Sequence, residues 1–423
     1  MIVVVGTGPA GLAAAIEAAR RDAVTIIDQA PRFGGQYWRH AKGGTSFDPR
    51  AQDYFARVLN DPRITRMSNT RVWNAEKRGS RFVIYTLTDG VEDRIEATQV
   101  ILATGAYDRT IPFDGWTLPS VVTAGGAQAM LKANKVSIGK KIVVVGMGPF
   151  LLPVTFNFIK AGAQVRTFDN TPLWRWIFNL HGLLLHPSKI KEARFYRANV
   201  KIEKGKIDSY REGAVTIDGE EIECDALAIG WGFTPDVTLA SILGADLVTD
   251  HDGSAIVKVN GRQETSIPNL FAAGEITGVG GADLSITEGK IAGRNQSSVA
   301  LSWNRLRGKI FARGLQRVYK VPSNWTEKID PSTHICRCEK VSASEIQDAV
   351  LELGAVDART AKLFSRAGMG LCQGRICGRN VLQYVAKVRE SAPTSAEEIG
   401  AAQRPVAHPI SLGELGDGLN KGF

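Results

Sequence analysis

Four of the five cysteines in this 423-residue chain fall in two tight pairs, Cys336-x-Cys338 and Cys372-x4-Cys377, with thirty-three residues between the pairs. Four thiolates at such spacing hold either a [2Fe–2S] cluster, two per iron, or a tetrahedral zinc ion. The tight Cys-x-Cys counts against zinc, whose usual pair is Cys-x2-4-Cys. Glycines around the second pair let backbone N–H groups turn toward sulfur. Arg337, Lys340, Arg375 and Arg379 stand beside the cysteines, where they offset the negative charge of a thiolate-bound cluster. His334 adjoins the first pair but reads as a surface or packing residue, because four thiolates suffice. Cys224 is solitary and reads as a buried structural thiol.

A second chemistry sits at the other end. The apolar run Ile2–Val5 enters Gly6-Thr7-Gly8-Pro9-Ala10-Gly11, then an alanine-rich helix former, then a second apolar strand that stops at Asp28. In that order the pattern is a dinucleotide fingerprint. Gly6 makes the turn, Gly8 lets the backbone approach a diphosphate, Gly11 lets helix and strand pack closely, and Asp28 is placed for a ribose diol. The helix N-terminus adds partial positive charge. Three further elements resemble flavoproteins more than simple NAD dehydrogenases: Gly34-Gly35-Gln36, the strand end Ala103-Thr104-Gly105, and Ala273-Gly274-Glu275 after an apolar strand. In the last, an acid contacts the flavin ribityl chain; most relatives have Asp where this chain has Glu275.

Residues 141–169 repeat the strand–turn–helix–strand order with Gly146-x-Gly148 and a closing Asp169. Leu151 stands where a third glycine is expected, so it should push helix and strand apart or crowd a diphosphate. NADH (Asp169 disfavours NADPH), a bound adenine nucleotide and an empty site all stay open here. The aromatic stretch 173–185 reads as domain packing, a cover for the cleft or a subunit contact. Neither nucleotide unit has a cysteine pair, so no redox-active disulfide serves the flavin. No residue reads as a base for substrate deprotonation, so the catalytic set stays unassigned; His40, His181 and His186 read as structural.

These motifs require an α/β chain: two Rossmann-like nucleotide-binding domains of the two-dinucleotide-binding flavoprotein type plus a small α-helical [2Fe–2S] domain. The FAD domain is discontinuous, 1–112 and 236–302, with the second nucleotide-binding-like domain inserted at 113–235. A basic linker, 303–332, leads to the cluster domain at 333–385 and a tail at 386–423, read as flexible or partner-wrapping. In the cluster domain Ser342 and Glu345 form a capping box for a helix to Leu353, and a second helix fits Asp357 to Arg366. From Arg294 to Lys320 there are seven basic residues and no acidic one, which suits an amphipathic helix or an acidic docking partner. Hydrophobic residues make up 44% and charged residues 22%, which excludes a disordered chain. The net charge of +9 comes with no nucleic-acid motif. No apolar run reaches the roughly 18 residues of a transmembrane helix. A cytoplasmic protein is expected.

The cysteine module, with Ala367-Gly368-Met369-Gly370-x-Cys372-Gln373-Gly374-Arg375-x-Cys377-Gly378, resembles the bacterioferritin-associated-ferredoxin-like [2Fe–2S] domain. Joined to the flavoprotein, the chain resembles the α subunits of heteromeric opine, D-hydroxyproline and cyanide-forming glycine dehydrogenases, and more distantly the sarcosine oxidase α chain. Gly146-x-Gly148-Pro149-Phe150-Leu151-Leu152-Pro153 and Gly274-Glu275-Ile276-Thr277-Gly278-Val279-Gly280-Gly281-Ala282 are typical of that group. The resemblance implies FAD and a [2Fe–2S] cluster, with room for an adenine nucleotide in the second site and an FMN at a subunit interface. It also implies a β flavoprotein subunit that oxidises the C–N bond of an amino acid or opine, room for a small third subunit, and a separate electron acceptor. The rival readings are a self-sufficient NADH-dependent reductase and a zinc-stabilised assembly subunit.

Overall fold

The computed structural model describes every residue except 173, 178, 180, 181, 183–185, 323 and 420–423. Leu173, Phe178, Leu180, His181 and residues 183–185 of the aromatic stretch therefore lie outside the described residues.

The first nucleotide unit is built on a five-stranded parallel sheet in the order Leu270–Ala272, Gln99–Leu102, Ile2–Val5, Val24–Ile27, Ile64–Met67. Its central strand is apolar throughout because both faces are covered. Ile2 and Val4 face the helices Pro9–Ala18 and Arg50–Asn60, whereas Val3 and Val5 face a second core under the antiparallel sheet Thr70–Arg78, Arg81–Thr88, Val91–Ala97. The period of two along a strand assigns these faces.

The second unit repeats the plan with four parallel strands in the order Gln164–Asp169, Lys141–Gly146, Ala226–Gly230, Val121–Thr123. The chain enters and leaves it through two short strands, Ala106–Asp108 and Phe233–Pro235, which pair antiparallel. The segment expected as a basic linker is largely the twenty-residue helix Val299–Val318, capped by Ser298, which packs on helix Ala282–Arg294.

The cysteine module consists of the hairpin His334–Cys336 and Val341–Ser342 with helices Ala343–Leu351, Ala358–Ser365 and Gly378–Val388. The Ser342–Glu345 capping box is present, and Asp357 caps the second helix. The module shares one core with the second unit: Ile335, Cys336, Cys377 and Val381 pack in the same cluster as Trp116, Trp231 and Leu227. Trp116 Nε1 donates to the His334 carbonyl at 2.6 Å.

Through residue 419 the tail is folded onto the chain, contrary to its reading as flexible. Helix Ser395–Ala402 carries its own capping box, Ala407 is buried in the core of the first unit, and its N–H donates to the Trp73 carbonyl at 2.8 Å. Small and polar composition hid this, because the tail docks through backbone bonds and arginines more than through apolar bulk.

Candidate redox site

The first glycine turn is tightly constrained. A Cβ at Gly11 would lie 1.8 Å from the Gly6 carbonyl oxygen, and one at Gly6, where φ is +105°, would lie 2.2 Å from the Ala103 oxygen. Gly8 differs: its φ of −69° suits any residue and a Cβ there meets no protein atom within 4 Å. The free space above Gly8 lies at the N-terminus of helix Pro9–Ala18, where Pro9 occupies the first turn and Ala10 is buried beneath it. That is a cradle for a diphosphate. Gly35 presses over it, since its Cβ position is 2.9 Å from the Gly8 Cα, and Gln36 follows, exposed.

Asp28 ties the turn to the second strand. Its Oδ2 accepts from Thr7 N and Oγ1 at 2.7 and 2.6 Å, and its Oδ1 from Ala30 N at 2.8 Å. Arg39, which no motif marks, brings a guanidinium into the electrostatic range of Asp28, and its buried Nε has no partner. A free cradle, a ribose-spaced acid and a cation with an orphaned buried N–H fit an adenine dinucleotide.

At the same C-terminal end of the parallel strands, Thr104 Oγ1 donates to the Asp236 carbonyl at 2.7 Å, and Gly105 O accepts from Asp236 N at 3.0 Å. Gly274 donates its N–H to Glu288 at 3.1 Å, and Glu275 accepts from Gly281 N at 2.9 Å. Burial pushes the Glu275 carboxyl up to about 7, assisted by the nearby Glu288 charge and opposed by the Gly280 and Gly281 N–H groups. Glu288 is 1% exposed and escaped the sequence reading. Its partners are Thr277, Arg305 and Lys309, the last two from the basic run. Arg294 likewise pairs with the buried Glu17 at 2.9 Å. Part of the basic run thus neutralises buried acids of this same chain.

The second glycine turn is arranged differently. Its helix starts at Leu151, two residues later than its counterpart, and opens with an i→i+3 bond from Leu151 N to Gly148 O. Leu151 does not push helix and strand apart: it is 1% exposed and packs into the space left by Gly230. Gly148 is buried, and the Phe150 ring meets Phe233 edge-on at 4.9 Å. Burial raises the Asp169 carboxyl, while Thr171 and the Gly148 N–H pull the other way.

The structure brings the four distant cysteines together. Cys336 Sγ lies 3.5 Å from Cys377 Sγ and 3.9 Å from Cys338 Sγ, and Cys338 Sγ lies 3.8 Å from Cys372 Sγ. Gly368 N donates to Cys336 Sγ at 3.4 Å. A Cβ at Gly370 would fall 2.4 Å from Cys338 Sγ, so only glycine admits the sulfur there. Hydrogen bonding from the Cys377 thiol, then backbone N–H groups, holds Cys336 down to about 6 and Cys372 to about 5 against their burial. Burial and the Cys372 and Cys336 charges push the Cys338 thiol up, and its bonds to Cys336 and Cys372 push Cys377 up. Four converging thiols, two of them readily ionised, with N–H donors beside them fit a cluster. Cys336 and Cys377 are buried, Cys372 is half-buried and Cys338 is exposed. His334 contributes its backbone to the hairpin.

Three of the four basic neighbours of the cysteines are spent on the other domains, and Lys340 is exposed. Arg337 donates to the Leu118 and Val121 carbonyls, Arg379 to Ser254 Oγ and the Asp252 carbonyl, and Arg375 approaches Asp236. The isolated Cys224 is buried, and burial first, then the Asp225 charge, pushes its thiol up to about 11.

Residues 1–297 match the family model described as pyridine nucleotide-disulphide oxidoreductase, and residues 334–387 match that of the BFD-like [2Fe-2S] binding domain. An opine oxidase subunit from Agrobacterium tumefaciens is 28% identical over 98% of this chain and 91% of its own length. The HcnB subunit of hydrogen cyanide synthase from Pseudomonas aeruginosa is 28% identical over 89% and 90%. Among solved structures, L-proline dehydrogenase from P. horikoshii superposes with a TM-score of 0.75 at 20% identity, covering 98% of this chain and 78% of that one.

Proposed function

Because the chain belongs to the pyridine nucleotide-disulphide oxidoreductase family and carries a BFD-like [2Fe-2S] binding domain, we propose that it is the electron-transfer α subunit of a heteromeric dehydrogenase acting on the C–N bond of an amino acid or opine. It is an oxidoreductase with FAD and a [2Fe–2S] cluster. FAD takes electrons in pairs and the cluster passes them singly, which is what a relay between an organic substrate and a one-electron acceptor needs. The full-length similarity to subunits of opine oxidase and hydrogen cyanide synthase supports the heteromeric reading. The observation that carries it is the lopsided setting of the cysteines: Cys336 and Cys377 face inward against the second nucleotide unit, while Cys338 is open to solvent. Electrons thus have an inner approach and an outer exit.

The chain's own residues hold and orient. The Gly8 turn and helix Pro9–Ala18 bind the diphosphate, Asp28 with Arg39 the adenosine end, and Glu275 the polyol through its carboxyl. Among the described residues no side chain beside them is read as taking a proton from carbon, so substrate oxidation falls to a partner β flavoprotein subunit, with an interface FMN and a small third subunit belonging to the same reading. Gly146, Gly148 and Asp169 suit a resident adenine nucleotide better than an exchanging NADH, since Gly148 is buried and Asp169 already bonded. No described helix is long and apolar enough to cross a membrane. We place the protein in the cytoplasm because its cysteines are few and none is joined in a disulfide.

The test is an anaerobic visible spectrum of the purified chain before and after NADH. Flavin and cluster bands that ignore NADH, but bleach when a co-purified β subunit is given its amino acid or opine, are expected. Direct bleaching by NADH would overturn the subunit reading in favour of a self-contained reductase.

A further inference from the structure

Asp236 stands where the flavin turn, the cluster loop and the tail meet. Its backbone holds both polar residues of Ala103-Thr104-Gly105: N–H to Gly105 O at 3.0 Å and C=O from Thr104 Oγ1 at 2.7 Å. Its side chain faces the other way. Oδ1 accepts from Thr238 Oγ1 at 2.6 Å, and Oδ2 lies 3.5 Å from Nε of Arg375, which sits in the loop between Cys372 and Cys377. Arg375 also donates to the Ala407 carbonyl. Arg404 of the tail donates to the carbonyl of Gln373, the residue after Cys372, at 2.7 Å. The pair is well shielded, with side chains 14% and 21% exposed. Burial alone would raise the Asp236 carboxyl, but Arg375, Thr238 and Arg404 outweigh it and hold it below the usual range. Other titratable groups of this seam are Arg109 paired with Asp252, Arg379, Glu398, and His408, which burial and then the Arg375 charge hold toward the neutral form.

We propose that Asp236 is a positioning residue for electron passage: through Arg375 it fixes the Cys372–Cys377 loop against the flavin turn, and it sets the cluster's reduction potential by partly cancelling the positive charge that this loop carries on Arg375. The inference rests on the flavin-and-cluster reading above. Reduction adds one negative charge to the cluster. An uncompensated cation nearby favours that step and loss of the cation disfavours it, and in a shielded seam the effect is not quenched by solvent.

The test is an anaerobic dithionite titration of the FAD-loaded chain, following the electron paramagnetic resonance signal of the reduced cluster. Dithionite supplies the single electron, and no bond is made or broken. Asp236→Asn, which keeps its Thr238 bond, should raise the midpoint potential, and Arg375→Gln should lower it. Each change is on the order of tenfold in the reduction equilibrium, or about 59 mV for one electron. Arg375→Lys should stay near the wild type, and the double variant Asp236→Asn/Arg375→Gln should return toward it. A merely structural pair would shift both single variants the same way or shed iron from both. Either result, or an unmoved potential in Asp236→Asn, overturns the proposal. A wild-type chain with no [2Fe–2S] signal overturns the parent reading and this one with it.

Discussion

Substituting Gly8 by alanine separates binding from folding. The Gly8 backbone, with φ −69° and ψ −178°, accepts an L residue, and the new Cβ meets no protein atom within 4 Å. Alanine is a poorer N-cap than glycine, a cost of about 0.5–1 kcal/mol. It also restricts the unfolded chain, a gain of about 0.4–1 kcal/mol, so apo stability should change by less than about 1 kcal/mol. The methyl would occupy the space read as the diphosphate's. Overpacking of that kind costs about 1–3 kcal/mol, so FAD should bind roughly 5- to 150-fold more weakly. Gly11→Ala is the control: its Cβ would lie 1.8 Å from the Gly6 carbonyl oxygen, a backbone clash costing about 3 kcal/mol or more before any ligand arrives. The assay is thermal unfolding of both apo variants by circular dichroism, then FAD titration by flavin fluorescence quenching. Wild-type FAD affinity in Gly8→Ala, or an apo melting point as low as that of Gly11→Ala, would refute the assignment of this turn to the dinucleotide.

Cys372→Ser should keep FAD and lose the cluster's visible spectrum and iron; full iron content in that variant would remove Cys372 from the ligand set. Glu275 holds its proton in the folded chain up to about 7 against 4.5 unfolded. Its contribution to stability is therefore complete below the lower value and lost as pH rises through the higher one. Melting of the apo chain at roughly pH 5 to 8 should decline less steeply in Glu275→Gln than in the wild type, and equal slopes would contradict the buried setting. Leu151→Ala should cost about 2–5 kcal/mol as a cavity. Gly230→Ala, whose Cβ would be 3.1 Å from Leu151 Cδ2 and 3.2 Å from the Ala124 methyl, should cost about 1 kcal/mol alone and less on top of Leu151→Ala, where only the Ala124 contact remains; additive losses in urea unfolding would show that the two do not share the space.

The sites that could be read in advance are those whose function is carried by spacing along the chain. The glycines and Asp28 of the first turn lie within twenty-three residues, and Gly6 and Gly11 answer a local backbone demand while Gly8 leaves space for a ligand. The two cysteine pairs are also local, and the capping residues Ser342 and Asp357 marked the helices that bring the pairs together. What spacing could not show is contact across domains. Glu288 gave one signal, an acid on the apolar side of helix Ala282–Arg294 between Ile286 and Ile291, which makes sense only with a buried partner. The partners, Arg305 and Lys309, were in view as a basic run, but charge composition does not say whether a cation faces solvent or its own chain. The tail was opaque for the same reason, since Arg404 and Ala407 dock by single bonds to distant carbonyls.

Leu151 shows why a motif departure has to be weighed with its neighbour. In the first unit the strand beside the glycine turn ends in Ala103, and a Cβ at Gly11 would come within 3.4 Å of the Ala103 methyl. In the second unit the equivalent strand, paired Gly146 to Gly230, ends in glycine, and the bulk sits on the helix side as Leu151. The two units thus keep the volume between strand and helix filled while exchanging which side supplies it. Close packing rewards the total and is indifferent to the donor. Leu151 is therefore no obstacle to the fold. What distinguishes the second turn is the later helix start, with Gly148 buried and Phe150 set against Phe233, while a Cβ at Gly148 would still meet no protein atom within 4 Å. A motif written only in terms of the third glycine would have rejected the second unit for the wrong reason.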